Sequence, residues 1–304
     1  MQYKRPKKNI NGILLLDKPH GFSSNQALQK VKWLLSATKA GHTGTLDPLA
    51  TGLLPLCFGE ATKFAHYLTD ADKTYVATLK LGVTTNTGDA EGIVLSTQPV
   101  NVTPAQFETA CRQFVGNISQ TPPMYSALKF EGKAMYEYAR AGVEVARQPR
   151  AVTIHQISVN AFQDDVAEIT VTCRKGTYIR TLAEDIGNVL GCGAHLIGLR
   201  RTSTAHYHID QSVTLAQFEA ASVDERIALL MPPDSAVQHL PAISLDNDSS
   251  FYLQQGQAVW KSGAVPSGLL RLYDEQQQFL GLGEQQSDGK IAPKRLIVSK
   301  PSSD

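Results

Sequence analysis

Segments with strand patterns and segments with helix patterns follow one another along this chain in irregular order, and this order constrains the fold more than any other feature. Apolar stretches typical of strands, such as "GILLL" and "AEITVTC", are separated from the next strand pattern sometimes by a helix pattern and sometimes by a turn. A doubly wound α/β fold requires regular alternation of strands and helices. We therefore expect an α+β fold, and 42% apolar residues among 304 are enough for a substantial core.

Three segments predict particular elements. Residues 73–82 alternate between apolar and polar side chains, as in a strand with one buried face. The Ser-Ser pair at 23–24 is expected to cap a helix that runs to about Lys39. Thr103 is expected to cap a second helix, with a proline at its first position and Gly116 at its end.

The stretch 232–248 is rich in Pro, Ser and Asp, which is typical of a domain boundary. After it, short apolar segments such as "LLRLY" and "FLGLG" are separated by Gly and polar turns, as in a small β-rich module. We therefore divide the chain into a main domain, residues 1–243, and a C-terminal module, residues 244–304.

Positive charge is concentrated near the N-terminus. Residues 1–50 contain eight Lys or Arg and two Asp, a net charge of +6, whereas residues 211–304 contain seven Lys or Arg and eleven acids, a net charge of −4. A basic region of this kind is compatible with a polyanionic ligand. An ordinary uneven surface would give the same pattern.

Several classes of protein are disfavoured. No apolar run is long enough to cross a bilayer, and the basic N-terminus lacks the apolar stretch of a signal peptide. The four Cys show no CxxC spacing and so indicate neither a zinc site nor a disulfide framework. We expect a protein of the reducing cytoplasm.

The stretch "GHTGTLDPLATGLLPL", residues 41–56, places a single acid, Asp47, among small and apolar residues. Asp followed by Pro is common in turns, so a structural turn is one interpretation. A ligand site is the other, because small residues such as Gly44 let a ligand approach the backbone and the apolar run after the loop anchors it in the core. A metal site fits poorly, since His42 is the only other potential ligand nearby.

Arg180 lies in "RKGTYIRTLAEDIG", where Gly176 ends a strand and a helix follows. It falls in or just before the first helical turn, where the helix dipole disfavours a cation. Such a position requires a carboxylate partner. Asp47 is one candidate, and Glu184, four residues further along the helix, is the other.

Seven sequence blocks between residue 10 and about residue 205 resemble the TruB family of tRNA pseudouridine synthases, bacterial enzymes that modify the T-loop uridine. In chain order the blocks are "DKPHGFSS", "GHTGTLDPLATGLLPLCFGEATK", "KTYVATLKLG", "TGDAEG", "QTPPMYSALKFEGKAMYEYARAG", "RKGTYIRTLAEDIG" and "GAHLIGLRRT". The tail beyond residue 245 matches in position and size only.

The resemblance implies a fold and a function. The expected fold is a pseudouridine synthase core with a central mixed β-sheet, followed by a small module similar to the PUA type of RNA-binding domain. The expected reaction is isomerisation of uridine to pseudouridine at position 55 of tRNA, after extrusion of the base. The expected partner is the T-arm of tRNA. No cofactor, metal or obligate protein partner is implied, and we expect a monomer.

The resemblance also assigns catalytic roles. Asp47 corresponds to the catalytic aspartate, and Arg180 to the arginine that pairs with it. Tyr75 corresponds to the tyrosine that stacks on the target base and is implicated in proton removal. Attack on ribose C1′, addition at C6 of the ring and formation of a glycal all use an ionised carboxylate. We therefore expect Arg180 to keep Asp47 charged despite apolar walls that would raise its pKa.

Further residues are assigned to the substrate. Tyr178 and Leu199 correspond to apolar walls of the pocket, and His42 to the histidine that meets the displaced T-loop nucleotides. Lys18, in the "DKP" block, corresponds to a residue with a role in pocket support or RNA contact. Residues 121–150 correspond to a loop that closes over RNA, and the basic residues of this segment suit phosphate contact.

Two other functions remain open at this point. A protein that binds or refolds RNA without chemistry would use the same cleft and the same C-terminal module. The sequence "NTGDAEG" is compatible with an Asp-bound magnesium in a phosphohydrolase, although we interpret it as a hairpin turn.

Overall fold

The computed structural model describes residues 6–298. Lys4 and Arg5, two of the basic residues near the N-terminus, lie outside the described residues, as do residues 299–304 of the C-terminal module. The described residues form an α+β protein in which a large mixed sheet is joined to a small second sheet. No helix within residues 6–298 is long and apolar enough to cross a membrane.

The elements of residues 6–298 are numbered in chain order. The strands are β1 (Gly12–Lys18), β2 (Ala40–His42), β3 (Thr51–Phe58), β4 (Lys73–Leu81), β5 (Val83–Thr85), β6 (Val94–Thr97), β7 (Gly116–Gln120), β8 (Lys129–Phe130), β9 (Lys133–Ala134), β10 (Arg150–Gln163), β11 (Val166–Cys173), β12 (Ala194–Thr204), β13 (Tyr207–His208), β14 (Val213–Thr214), β15 (Ala242–Ser244), β16 (Leu269–Tyr273), β17 (Phe279–Gln285) and β18 (Ile291–Leu296). The α-helices are α1 (Ser24–Leu34), α2 (Ala65–Asp70), α3 (Pro104–Arg112), α4 (Met135–Arg140), α5 (Ile179–Val189), α6 (Leu215–Ala220), α7 (Val223–Ala228) and α8 (Asn247–Gln254).

The large sheet has the strand order β14-β1-β3-β12-β4-β11-β10-β7, with β2 paired to β3 and β13 to β12. The pairs β1–β14 and β3–β12 are parallel, and the remaining pairs are antiparallel. The predicted mixed sheet is therefore confirmed. Strand β12 lies between β3, which follows the Asp47 loop, and β4, which carries Tyr75.

Strand β1 separates two parts of the hydrophobic core. Successive side chains of a strand point to opposite faces of the sheet. Leu14 and Leu16 accordingly pack with Val31 of α1 on one face. Ile13 and Leu15 pack on the other face, in a cluster that also contains residues of the C-terminal module. Strand β1 thus packs against the first helix on one face and against the second sheet on the other.

The local predictions were partly right. The alternation of β4 is confirmed, because its side chains are buried at every second position from Lys73 to Leu81. Helix α1 ends at Leu34 and not near Lys39, since Ser36 adopts a left-handed φ of 51° and the chain turns towards β2. The N-cap of α3 by Thr103 is also confirmed.

The predicted end of α3 was wrong. The helix ends at Arg112, and Gly116 begins strand β7 with a φ of +106°. A glycine shortly after an apolar helix pattern is the usual sign of a helix C-cap. Here the same conformational freedom serves the entry into the next strand.

The second sheet contains β15-β16-β17-β18 and spans residues 242–296. Helix α8, capped by Asp246, lies within this module although its polar composition resembles a linker. The module packs directly on the main domain. The ring of Phe279 lies 5.4 Å from that of Phe64 and 5.5 Å from that of Tyr273, measured between centroids. We call the cluster around Phe64, Tyr273 and Phe279 the junction.

Candidate active site

Asp47 lies in the loop between β2 and β3, and this loop is held by hydrogen bonds at both sides of the acid. The Ser24 hydroxyl accepts a bond from the Leu46 N–H (2.7 Å) and donates one to the Leu46 carbonyl (3.0 Å). The Ala50 N–H donates to the carbonyl of Asp47 at 3.1 Å, and the Gly21 N–H donates to the carbonyl of Pro48 at 2.9 Å. The backbone that carries Asp47 is therefore fixed by the start of α1.

The guanidinium of Arg180 forms an ion pair with Asp47, with 3.0 Å between Nη2 and Oδ2. Arg180 is the second residue of α5, whose N-cap Tyr178 provides no side-chain cap. The side chain of Arg180 is buried, whereas that of Asp47 remains 38% exposed. The sequence left two partners open for Arg180, and the structure pairs it with Asp47 and not with Glu184.

Arg180 has three further contacts that the sequence did not indicate. Its Nη1 lies 3.5 Å from Oδ2 of Asp89 and donates to the carbonyl of Thr87 at 2.9 Å. Its Nη2 donates to the carbonyl of Tyr125 at 2.6 Å. Two carboxylates and two carbonyls therefore surround one buried cation, which is the arrangement a desolvated charge requires.

Asp89 is one of two site residues that the sequence interpretation missed. The predicted hairpin is confirmed, since β5 and β6 pair around it. Within the turn, Asp89 accepts hydrogen bonds from the Thr87 hydroxyl at 2.6 Å and the Glu91 N–H at 3.1 Å, as turn-forming Asp residues do. Its second oxygen faces Arg180. No local pattern distinguishes an Asp that only forms a turn from one that also meets a distant arginine.

Opposing influences act on the pKa of Asp47. Burial raises it most, the charge of Arg180 lowers it, the charge of Asp89 raises it and that of Lys18 lowers it. The net pKa lies above its ordinary value of 3.8. Arg180 therefore offsets only part of the effect of burial on the acid.

A cavity of about 540 Å³ opens above this ion pair. Tyr75 of β4, Tyr178 before α5 and Leu199 of β12 form much of its wall, so the structure brings these predicted residues together with Asp47 and Arg180. Basic side chains also line it, namely Lys73, Arg150, Lys175 and Arg201. A lining that combines apolar and aromatic side chains with a few charged groups suits a flat polar ring attached to an anionic chain.

Gln120 joins the base of the 121–150 segment to the start of α5. Its side-chain amide accepts a hydrogen bond from the N–H of Tyr178 at 3.0 Å and donates one to the carbonyl of Tyr178 at 3.2 Å. Ser126 of the same segment lines the cavity together with Tyr178, and the carbonyl of the adjacent Tyr125 accepts a hydrogen bond from Arg180. The segment expected to cover RNA is thus in contact with the helix that carries Arg180.

Lys18 is fully buried at the end of β1. Its ammonium group donates to the carbonyls of Pro19 at 2.9 Å and Phe22 at 2.5 Å. Burial lowers its pKa to about 8, although the charge of Asp47 raises it. The side chain is not part of the cavity lining, so the structure favours support of the pocket over RNA contact.

His42 lies on β2, half-buried, and does not line the cavity. Its Nδ1 is buried and has no hydrogen-bond partner within residues 6–298. Burial, followed by the positive charge of Arg201, lowers the pKa of His42. Among the predicted site residues, Lys18 and His42 are thus the two that the structure places outside the cavity wall.

Arg201 is a second residue that the sequence interpretation missed. It follows Leu199 on β12, is fully buried, and lines the cavity. It lies directly opposite Tyr75 in the pairing of β12 with β4. Burial raises the pKa of that tyrosine, and the charge of Arg201 lowers it. Two adjacent arginines in "GLRRT" gave no sign that the second one is interior.

Sequence profiles assign most of the chain, from residue 32 to residue 297, to one family. Residues 32–179 match the sequence profile described as TruB family pseudouridylate synthase, N-terminal domain. Residues 180–238 match the tRNA pseudouridylate synthase B C-terminal domain, and residues 241–297 match the C-terminal domain of pseudouridine synthase II TruB.

Individual relatives agree over the whole length of the chain. The tRNA pseudouridine synthase B of Methylobacillus flagellatus is 61% identical over 297 residues, which cover 98% of both chains. That of Stutzerimonas stutzeri is 52% identical over 303 residues, covering 98% of this chain and 99% of the relative. A solved Cbf5–Nop10–Gar1 complex contains a chain of 26% identity that superposes with a TM-score of 0.70 over 95% of this chain and 84% of its own length. The chain therefore belongs to the TruB family of pseudouridylate synthases.

Proposed function

We propose that this protein isomerises uridine to pseudouridine in the T-loop of tRNA, at position 55. The observation that carries the proposal is the ion pair of Asp47 and Arg180 at the floor of a cavity walled by Tyr75, Tyr178 and Leu199. The names of its full-length relatives, tRNA pseudouridine synthase B, support the same reaction. The target base must leave the T-loop stack to reach the cavity, at a cost of a few kcal/mol.

The reaction breaks the bond between N1 of uracil and C1′ of ribose and forms a bond between C5 and C1′; the proton on C5 is released and N1 takes up a proton. Asp47 is the nucleophile or base that the breaking of the first bond requires. Arg180 holds the carboxylate in the anionic state against the effect of burial. The three chemical routes, through C1′, C6 or a glycal, all place this carboxylate next to the sugar or the ring.

The walls of the cavity hold the extruded base. Tyr75 stacks on the uracil ring, and Tyr178 and Leu199 exclude water from it. Lys18 supports the Asp47 loop from below, and its positive charge favours the ionised carboxylate. His42 contacts the T-loop nucleotides that remain outside the cavity, which agrees with its place on β2, beyond the cavity wall.

Two larger regions bind the rest of the RNA. The segment 121–150 closes over the T-arm, since it already contacts Arg180 through the carbonyl of Tyr125 and lines the cavity from Ser126 to Leu128. The C-terminal module, residues 244–304, adds RNA contact beyond the catalytic domain, residues 1–243. The boundary falls close to residue 242, where the second sheet begins. We propose that the protein acts as a monomer in the cytoplasm without cofactor, and its four buried free cysteines agree with a reducing compartment.

Release of tritium from a T-arm stem-loop that carries C5-labelled uridine tests the function directly. Asp47→Asn should lower the rate by at least about ten-thousandfold, because an amide is neither nucleophile nor base. Its affinity for the stem-loop should stay within about threefold, since Asp47 contributes no positive charge. Asp165→Asn is a matched control. This acid also pairs with a cation, Lys80, but at the end of β4 away from Tyr75 and the cavity.

The same variant separates catalysis from RNA binding alone. If the protein only refolded RNA, Asp47→Asn would leave its activity in a tRNA-folding assay unchanged. The wild-type protein would then release no tritium. Wild-type turnover that survives Asp47→Asn would show that the catalytic group lies elsewhere.

A further inference from the structure

Arg201 is a buried cation that has no counter-ion among residues 6–298. Its side chain is fully buried, and none of the ion pairs within residues 6–298 includes it. Removal of such a charge from water costs several kcal/mol, which a carboxylate partner would normally offset. Its surroundings are positive instead. Burial, and then the charge of Arg201, lower the pKa of the neighbouring Lys73 to about 8.

The backbone around Arg201 is built for close contact. On β12 it lies opposite Tyr75 of β4 and opposite Gly52 of β3. Gly52 has a φ of +101°, and a Cβ at that position would lie 2.3 Å from the carbonyl oxygen of Arg201. Directly opposed residues of an antiparallel pair present their side chains on the same face, so Arg201 and Tyr75 are neighbours.

Two carbonyls define the position of the guanidinium. Nε donates to the carbonyl of Leu53 at 2.7 Å, and Nη2 donates to the carbonyl of Gly44 at 3.4 Å. Burial raises the pKa of Tyr75 and the nearby charge of Arg201 lowers it, as expected for a guanidinium beside the phenol. Since a guanidinium can only donate, a hydrogen bond between the two uses the phenolic oxygen as acceptor. The carbonyls thus hold the guanidinium where it can reach the phenol.

We propose that Arg201 is a positioning residue for Tyr75, which it holds in one orientation against the extruded uracil through a hydrogen bond to the phenol. The inference rests on the proposed function and extends it to a residue outside the pair of Asp47 and Arg180. It explains why a cation with no counter-ion is retained beside the cavity, where an apolar side chain would cost less in stability.

A double-mutant cycle tests this role. Single-turnover tritium release is measured with an excess of the full-length protein for wild type, Arg201→Met, Tyr75→Phe and the double variant. We expect each single variant to be at least tenfold slower than wild type. The double variant should be no more than twofold slower than Tyr75→Phe, because without the hydroxyl Arg201 has no phenol to hold. Affinity for the stem-loop should change by less than threefold.

Arg201→Lys serves as the second variant, since it keeps the buried charge and therefore the electrostatic surroundings. A lysine lacks the fork that spans Leu53 and Tyr75 at once. We expect Arg201→Lys to be at least fivefold slower than wild type. Combined with Tyr75→Phe, it should slow that variant by no more than a further twofold. This result would hold even where Arg201→Met failed to fold.

Arg271→Met is the matched control. In the C-terminal module Arg271 donates through Nε to the carbonyl of Leu240 at 2.9 Å and through Nη1 to the hydroxyl of Tyr273 at 3.1 Å. It repeats the arrangement of Arg201 outside the site, and its loss should leave the single-turnover rate within twofold of wild type.

Two outcomes overturn the inference alone. One is a rate for folded Arg201→Met or Arg201→Lys within twofold of an active wild type, and the other is a double variant in which the two losses multiply. Wild-type protein that releases no tritium would overturn the proposed function itself, and this inference with it.

Discussion

The cavity floor and the junction bury their side chains in opposite ways. The floor groups the charges of Asp47, Asp89 and Arg180, of which Asp89 and Arg180 are buried and Asp47 is partly open to solvent. The junction between the main domain and the C-terminal module, around Phe64 and Phe279, is apolar. Apolar burial contributes directly to stability, whereas buried ion pairs contribute little net stability and become costly when one member is lost. The contrast indicates that the floor is kept for chemistry and the junction for cohesion.

Arg180→Met should have the largest effect and should combine both kinds of loss. We expect tritium release to fall at least a thousandfold, about 4 kcal/mol, because Asp47 loses the cation that favours its ionised form. Stability should also fall by about 3 kcal/mol, since the buried carboxylate of Asp89 loses its cation and keeps only the hydrogen bonds from Thr87 and Glu91. Urea unfolding monitored by circular dichroism, together with single-turnover rates, measures the two quantities.

The double variant Arg180→Met/Asp89→Asn separates these losses. Neutralisation of Asp89 removes the unpaired charge, so stability should recover while turnover stays low. If stability and turnover recovered together, the loss of rate in Arg180→Met would be a result of misfolding. The contrast between the floor and the junction would then fail.

Phe279→Ala should have the next largest effect, on stability alone. Deletion of a buried phenyl ring costs about 3 kcal/mol through lost apolar burial and a residual cavity. The single-turnover rate, measured well below the melting temperature, should stay within twofold of wild type because no side chain of the junction reaches the cavity. Leu280→Ala is a useful comparison, since this neighbour faces the core of the module and not the junction. A tenfold loss of rate in folded Phe279→Ala would show that the junction also positions the site.

Asp89→Asn should have a moderate effect on the rate and a diagnostic effect on its pH dependence. We expect a loss of about tenfold to a hundredfold, because Arg180 loses one of its two carboxylates. The negative charge of Asp89 raises the pKa of Asp47, so its removal should lower that pKa. Activity that requires ionised Asp47 falls as pH decreases through this pKa, and the variant should therefore retain its relative activity to lower pH. A shift of the acidic limb towards higher pH would contradict the assignment.

These residues also show which parts of the fold and the site can be predicted from the sequence. The α+β class, the mixed sheet and the alternating strand β4 follow from local patterns and from the family resemblance, which also names Asp47 and Arg180. Asp89 and Arg201 could not be found in this way. The first has the local environment of an ordinary turn, and the second becomes interior only because β12 is inserted between β3 and β4. Both depend on contacts between segments distant in the chain, about which local periodicity carries no information.

Glu60 provides the smallest and most specific test, at the edge of the junction. Its Oε2 accepts hydrogen bonds from Lys63 at 2.6 Å and from the N–H of Val298 at 2.7 Å, and Lys63 also donates to the carbonyl of Leu296 at 2.9 Å. Burial raises the pKa of Glu60, but the hydrogen bonds from Lys63 and Val298 together lower it by more. The net pKa therefore lies below 4.5. This polar contact fastens the end of β18 to the main domain.

Because the folded-state pKa of Glu60 is depressed, its contribution to stability is present above pH 4.5 and is lost as pH falls through the lower folded value. Glu60→Gln should therefore reduce the free energy of unfolding by about 1 kcal/mol at pH 7 and by less at pH 3.5. Urea titrations at the two pH values measure the difference. Glu108→Gln is the matched control, since its pair with Arg112 is exposed on α3 and should contribute almost nothing at either pH. Equal losses for both variants would mean that the Glu60 contact adds no more to the junction than an exposed ion pair does.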